Sequence, residues 1–229
     1  MEVESLQEKL GVRFKDPDLL KEALTHRSYK NENLSWCLPH NERLEFLGDA
    51  VLELVTTDFL FKNYPSHDEG RLTSVRAALV NYQNLSAVAR SLGLDTHLLM
   101  SKGEEKDTGR AREVLLANAF EAVLGALYLD AGYDRTRSFV ETHVLGNVEE
   151  IFEKNLDKDP KSLLQELVQE QLKITPSYEV VSEQGPDHNK VFKVGVHLGG
   201  KCIAYGEGFS KQEAEVDAAR KGLHVFKTS

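Results

Sequence analysis

The sequence predicts a multidomain protein, an all-α domain followed by a smaller α+β module of order α-β-β-β-α. Up to about residue 151 apolar residues recur at three- and four-residue spacing, the period of one helix face, whereas in the last third the period drops to two. Between the two regimes the segment EEIFEKNLDKDP (149–160) thins to charge. At 229 residues the chain can bury one sizeable core and one smaller one. Residues 1–152 are therefore expected to form the helical domain, 153–159 a linker and 160–229 the tail module.

In the helical domain, Gly11, Pro39, Pro65, Gly93, Gly103 and Gly132 mark the breaks between helices. Its most apolar stretch, residues 114–129, is interrupted by Asn118 and Glu121. The tail opens at Asp159-Pro160, an N-cap residue followed by proline at the first helical position. Leu163, Leu164, Leu167, Val168 and Leu172 then form one helical stripe. Residues 178–181, 191–198 and 202–205 read as strands, with Phe192, Val194, Val196 and Leu198 on one face and Gly199-Gly200 closing a hairpin. Ser210-Lys211-Gln212-Glu213 has the form of a capping box and opens a last helix through Phe226.

Composition excludes several classes. A hydrophobic share of 41% with 28% charged residues is that of a folded globular chain. Cys37 and Cys202 are too few for a disulfide framework or a Cys-rich zinc site, which fits a reducing cytoplasm. The acidic start MEVESLQEKL is not a secretory signal, and no uninterrupted apolar run approaches the ~20 residues of a membrane span, so no membrane partner is expected. The formal charge of -9 argues at first against a polyanionic partner, but residues 160–229 are balanced and the whole excess lies in residues 1–159.

Part of that excess is ordered. Glu42, Glu45, Asp49 and Glu53 follow one another at spacings of three, four and four, which places them on one narrow helical stripe. A solvated helix face is the ordinary reading of such a run. Here Phe46 and Leu52 border the stripe, and Leu44, Leu47, Val51, Leu54 and Val55 fill most of the rest. Like charges one turn apart repel, and more strongly when partly buried, so a cation would relieve them. Asn118 and Glu121 stand one turn apart on an otherwise apolar helix, and a buried carboxylate needs a base or a metal. Arg43, Arg76 or Arg112 could be that base. Taken with the first stripe, the oxygen-only set Glu45, Asp49, Asn118 and Glu121 favours a hard cation, Mg²⁺ or Mn²⁺, and hence phosphate chemistry. Glu69, in SHDEGR (66–71), reads as a loop residue or helix cap and has no mechanism from spacing alone.

These residues carry a strong resemblance to the ribonuclease III family of double-stranded RNA endonucleases. NERLEFLGDAVL (41–52) resembles its signature stretch, and ALTH (23–26) with Ser28 its N-terminal motif. Asp68-Glu69-Gly70 and LANAFEAVLGALYLD (116–130) complete the pattern, which covers essentially the whole chain. The resemblance implies a homodimeric, Mg²⁺-dependent endonuclease of RNA processing, with rRNA and mRNA precursors as its substrates. It also implies 5′-phosphate and 3′-hydroxyl products and no small organic cofactor. By position Glu45, Asp49 and Glu121 match the family's metal-binding acids, with Asp49 and Glu121 catalytic, while Glu42 and Glu69 match auxiliary acids near the dimer interface and the RNA cleft. Asn118 stands where the family usually has Asp. Its amide oxygen can ligate Mg²⁺ but brings no charge, so the site should hold its cation less tightly. This leaves three readings: a natural variant with weaker coordination, a substitution that traps a substrate complex, or a double-stranded RNA-binding protein on the same fold with weak or lost cleavage.

The tail resembles a double-stranded RNA-binding domain. Duplex RNA is read by shape, through 2′-hydroxyls and phosphates, which suits a polar helix face, a short loop and a helix N-terminus. The resemblance assigns Gln165 and His188 to the minor groove and Lys211 to phosphate, although a lone loop histidine is more often simply solvated. Gln212 and Glu215 stand where such domains often carry lysine, so modest affinity is expected. A helical phosphohydrolase of small nucleotides is the third class, and the tail argues against it.

Overall fold

A computed structural model gives the fold, with residues 3–106, 108–186 and 190–228 described. The chain divides into two compact units, Met1–Asp157 and Lys158–Ser229.

The first unit is all helical. It contains α1 (Val3–Leu10), α2 (Pro17–Ala23), α3 (Arg27–Glu32), α4 (Glu42–Asn63), α5 (Glu69–Val80), α6 (Tyr82–Ser91), α7 (Arg110–Ala131), α8 (Tyr133–His143) and α9 (Val148–Lys154), joined by short 3₁₀ turns. Side-chain caps set several of the starts. Asp16 accepts from the backbone of Asp18 ahead of Pro17, Asp68 from that of Arg71, and Asn81 from that of Asn84. The Asn81 cap lets α6 begin with a single residue between it and the end of α5, which composition alone did not separate.

α7 is the axis of this unit. At 22 residues it is long and apolar enough on composition alone to cross a membrane, yet residues from Leu116 to Leu127 are buried inside the domain on almost every side. Asn118 and Glu121 are the two half-buried exceptions in that run. α4 crosses α7 with the two backbones nearly touching. A Cβ built on Gly48 would lie 1.7 Å from the carbonyl oxygen of Glu121, and one on Gly125 would lie 2.1 Å from that of Leu44. Only glycine at both positions permits this approach.

The second unit contains α10 (Pro160–Leu172), an antiparallel sheet β1 (Ser177–Gln184), β2 (Val191–Leu198) and β3 (Lys201–Gly208) in the order β1-β2-β3, and α11 (Lys211–Thr228). Val194 and Val196 of β2 are fully buried, with Phe192 and Leu198 packed against the same core. The hairpin is closed by Gly199 and Gly200, both at positive φ, the backbone that a two-residue turn between twisted strands requires. Asp159 caps α10 by accepting from Ser162 N at 3.0 Å, directly ahead of Pro160. The helical stripe is narrower than its sequence suggests, because only Leu164 and Val168 are fully buried and Leu172 is half exposed. Ser210 caps α11, with Glu213 N donating to Ser210 Oγ at 3.1 Å, while Glu213 Oε2 accepts at 3.0 Å from Phe209 N, one residue ahead of the cap.

Candidate active site

The α4–α7 crossing gathers the acids. Because Gly48 lies against the backbone of Glu121, the residues flanking it on α4, Glu45 and Asp49, are brought beside Glu121 on α7. Their charges feel one another. Burial, then Asp49, Glu45 and Glu53, push the Glu121 carboxyl up to about 8. Burial, then Glu42 and Asp49, raise that of Glu45. Asp49 itself is exposed at the mouth of the cluster.

No arginine relieves Glu121. Arg112 is held by Asp95, with Nε 2.8 Å from Oδ1, and Arg43 acts on Glu22. Arg76 reaches from α5 to Glu53, with Nε 2.9 Å from Oε2, and also donates to Thr57 Oγ1 at 2.9 Å. The structural ion pair that could have explained a buried Glu121 is therefore absent among the described residues. The cluster offers only oxygen donors, which suits a hard divalent cation. Among the described residues, however, no three Asp, Glu, His or Cys side chains converge closely enough to close a metal cage by themselves.

Asn118 lies one turn before Glu121 and is half-buried on the same side of α7. Glu42, in the first turn of α4, lies 3.5 Å from the Arg27 guanidinium and 3.8 Å from His40 Nδ1. Glu69 does not join the cluster. It stands in the first turn of α5, with Asp68 rather than Glu69 as the cap, and lines a groove with Phe61, Tyr64, Leu72 and Arg76. In the second unit Gln165 is exposed on α10. Lys211 is exposed at the N-terminus of α11, 3.6 Å from Glu183 and over the ring of Phe192. His188 falls outside the described residues.

The N-terminal motif at residues 23–28 supports this site from behind. Thr25 O accepts from Asn41 N at 2.9 Å, which fixes the residue that enters α4. His26 caps α3, and its Nδ1 lies 2.8 Å from Ser28 Oγ and 3.0 Å from Glu104. Ser28 Oγ in turn accepts from Ser101 N at 3.0 Å. The glycine pair at the crossing was the feature missed from sequence, where glycine within an apolar run signals only a weaker helix.

A family model described as Ribonuclease-III-like matches residues 16–148, and one described as a double-stranded RNA binding motif matches residues 160–225. A curated protein named Ribonuclease 3 from Pelotomaculum thermopropionicum is 45% identical over 218 residues, which is 95% of this chain and 90% of that protein. Another of the same name from Borreliella burgdorferi is 45% identical over 219 residues, 96% of this chain and 89% of its own length. Among solved structures, the nuclease domain of ribonuclease III from Campylobacter jejuni superposes with a TM-score of 0.57 at 40% identity. It covers 64% of this chain and 95% of that domain. A second structure of that domain, described for flexibility in a region involved in dimer formation, gives a TM-score of 0.56 at 40% identity. With both halves matched in order and the identity sustained over nearly its full length, the chain belongs to the ribonuclease III family.

Proposed function

We propose that this chain is a divalent-metal-dependent endonuclease that hydrolyses phosphodiester bonds of double-stranded RNA, with the first unit catalytic and the second RNA-binding. One observation carries the reading: a half-buried carboxyl on α7, raised to about 8 by its burial and then by the acids of α4, and left without a cationic side chain. Such a group is at ease only when protonated or when a cation is bound. Glu45, Asp49, Glu121 and the amide oxygen of Asn118 are the groups that would hold Mg²⁺, for which Mn²⁺ can substitute. The set is open, leaving room for water and phosphate oxygens. When bound there, a divalent ion would supply an activated water and would neutralise charge on the leaving 3′-oxygen. No side-chain nucleophile is required, and the expected ends are 5′-phosphate and 3′-hydroxyl. The chain's own part is placement: the glycine crossing holds the acids in register while the apolar body of α7 excludes water behind them. Glu42 and Glu69 are auxiliary acids, neither in the α4–α7 cluster itself.

The homodimer has its own support. Phe46, Leu54 and Phe61 are exposed at 80%, 58% and 74% and lie with Ala50 and Thr57 on one continuous stripe of α4. An apolar stripe of that length in water calls for a partner, and a second copy would set two acid clusters along one duplex. Gln165, His188 and Lys211 are the proposed RNA contacts of the tail. Processing of ribosomal and messenger RNA precursors in the cytoplasm fits two free cysteines in a reducing compartment.

The test is incubation of long duplex RNA with the protein in Mg²⁺ and then Mn²⁺, with Glu121→Gln as control. Short duplexes from the parent and none from the variant support the reading. Intact but bound RNA at saturating metal would refute it in favour of the binding-only protein that Asn118 suggests.

A further inference from the structure

The C-terminal end of the helical unit is fastened to α5 by one guanidinium. Arg71, two residues after Glu69, donates from Nη1 to Asn155 Oδ1 at 3.1 Å and from Nη2 to Phe152 O at 3.2 Å. Its Nη2 also lies 3.0 Å from Asp157 Oδ1. Its charge sits 5.6 Å over the ring of Phe152, which His67 stacks on at 4.5 Å and Tyr64 meets at 4.4 Å. The Asp157 side chain has no exposed surface and that of Arg71 keeps only 18%. Neither Asp157 oxygen finds a hydrogen bond, and Arg71 is its only ion-pair partner among the described residues. Taking the cation away strands a buried carboxylate, which escapes by leaving for water.

Asp157 is the last residue of the first unit, and Asp159 already caps α10. We propose that Arg71 is a positioning residue that pins the root of the tether carrying the RNA-binding unit, so that only Lys158 and Asp159 lie between that fixed point and α10. The consequence for RNA rests on the tail being the RNA-binding domain. A second binding event on one duplex is governed by effective concentration, which falls as about the −3/2 power of tether length. Releasing residues 153–157 extends the free tether from about two residues to about seven, and KM for a long duplex then rises about sixfold. The turnover number is untouched, because Arg71 contacts none of the acids of the α4–α7 cluster.

The test uses the full-length protein and the variants Arg71→Gln, Asp157→Ala and Arg71→Lys. Trypsin has sites at Lys154, inside the clasped segment, and at Lys158, just beyond it. Both disruptive variants should be cut there several-fold faster than the parent without RNA, with KM raised about sixfold, kcat held and Arg71→Lys intermediate. Unchanged proteolysis overturns the proposal, as does an effect confined to Arg71→Gln, which would place its origin in α5. A fall in kcat at constant KM also overturns it. Because proteolysis needs no RNA, faster cutting in both disruptive variants upholds the clasp even where the parent ignores duplex RNA, and that second result would count against the function alone.

Discussion

Replacing Gly48 by alanine probes the crossing on which the acid cluster depends. The new methyl carbon would lie 1.7 Å from the Glu121 carbonyl oxygen and 2.9 Å from Gly125 N. A carbon and a carbonyl oxygen settle no closer than about 3.3 Å, so α4 and α7 must part by roughly 1.5 Å. Both obstacles are backbone, and no rotamer change can clear them. Alanine in place of helical glycine gains about 1 kcal/mol of propensity, so a destabilising result has a sign opposite to the local expectation. Overpacking typically costs about 1–3 kcal/mol. A rigid backbone obstacle belongs at the top of that range, which lowers Tm by about 6–12 °C in a domain of this size. The same displacement parts Glu45 and Asp49 from Glu121, and a misplacement of about 1 Å costs on the order of a hundredfold in rate. The assays are thermal melting and single-turnover cleavage of duplex RNA. Gly70→Ala is the control for melting, since a Cβ there meets nothing closer than 3.6 Å. A Gly48→Ala protein that melts at or above the parent temperature and cuts at the parent rate would refute the geometric account.

Four further outcomes follow from the same geometry. In chelator, ionisation of Glu121 should cost stability: its folded value of about 8 lies above the ordinary 4.5, so its contribution is full below pH ~4.5 and is lost as pH rises through 8. Glu121→Gln removes that slope and should leave the metal-free protein about 2–4 kcal/mol more stable than the parent at pH 8, and parallel denaturation curves from pH 5 to 9 would sink the idea. Asn118→Asp should lower the Mg²⁺ concentration for half-maximal cleavage by about tenfold, and an unchanged midpoint would show that residue 118 is not a ligand. Leu54→Asp should shift the protein from dimer to monomer in sedimentation equilibrium, and a dimer that persists would place the interface elsewhere. Lys211→Ala should weaken duplex binding and reduce the salt slope by about 1, whereas an unaltered slope would remove Lys211 from the phosphate contacts.

The acid cluster was legible because helix periodicity is local: spacings of three, four and four fix which carboxylates share a face whatever surrounds them. The burial of Glu121 was legible for the same reason, in a run apolar on nearly every side. What sequence could not supply was the partner of each face. Phe46 and Leu54 read only as apolar neighbours of the acid stripe, and the structure shows that they and Phe61 face solvent, because periodicity shows that a face is apolar and not whether the fold covers it. The Gly48–Gly125 contact joins positions 77 apart and leaves no periodic trace. The Arg71 clasp is hidden likewise, since the segment it holds, 152–157, lies in a stretch with the composition of free linker and is fastened by a residue more than 80 positions earlier. Boundaries such as α5 to α6 depended on single Asp and Asn caps, which are common enough elsewhere to carry little weight alone.

The charge distribution bears on how the two units divide the work. The second unit is electrically balanced, and most of its cations are already engaged. Lys161 pairs with Glu215, Lys190 and Lys211 with Glu183, Lys193 with Glu207, and Arg220 and Lys221 with Asp217. Each that turns to a phosphate must give up a carboxylate, so the counterion-release gain per contact is smaller than for free lysines. The first unit carries the entire negative excess, which on the proposed function cations at the acid cluster would offset before RNA is met. Neither unit alone is therefore a strong RNA binder, and affinity must come from joining them. A short, pinned tether supplies that join, because a weak tail held at millimolar effective concentration contributes more than the same tail on a slack chain. Metal at the acids and rigidity at residues 152–157 then act on one quantity, the probability that a duplex held by the tail also meets the cluster on α4 and α7.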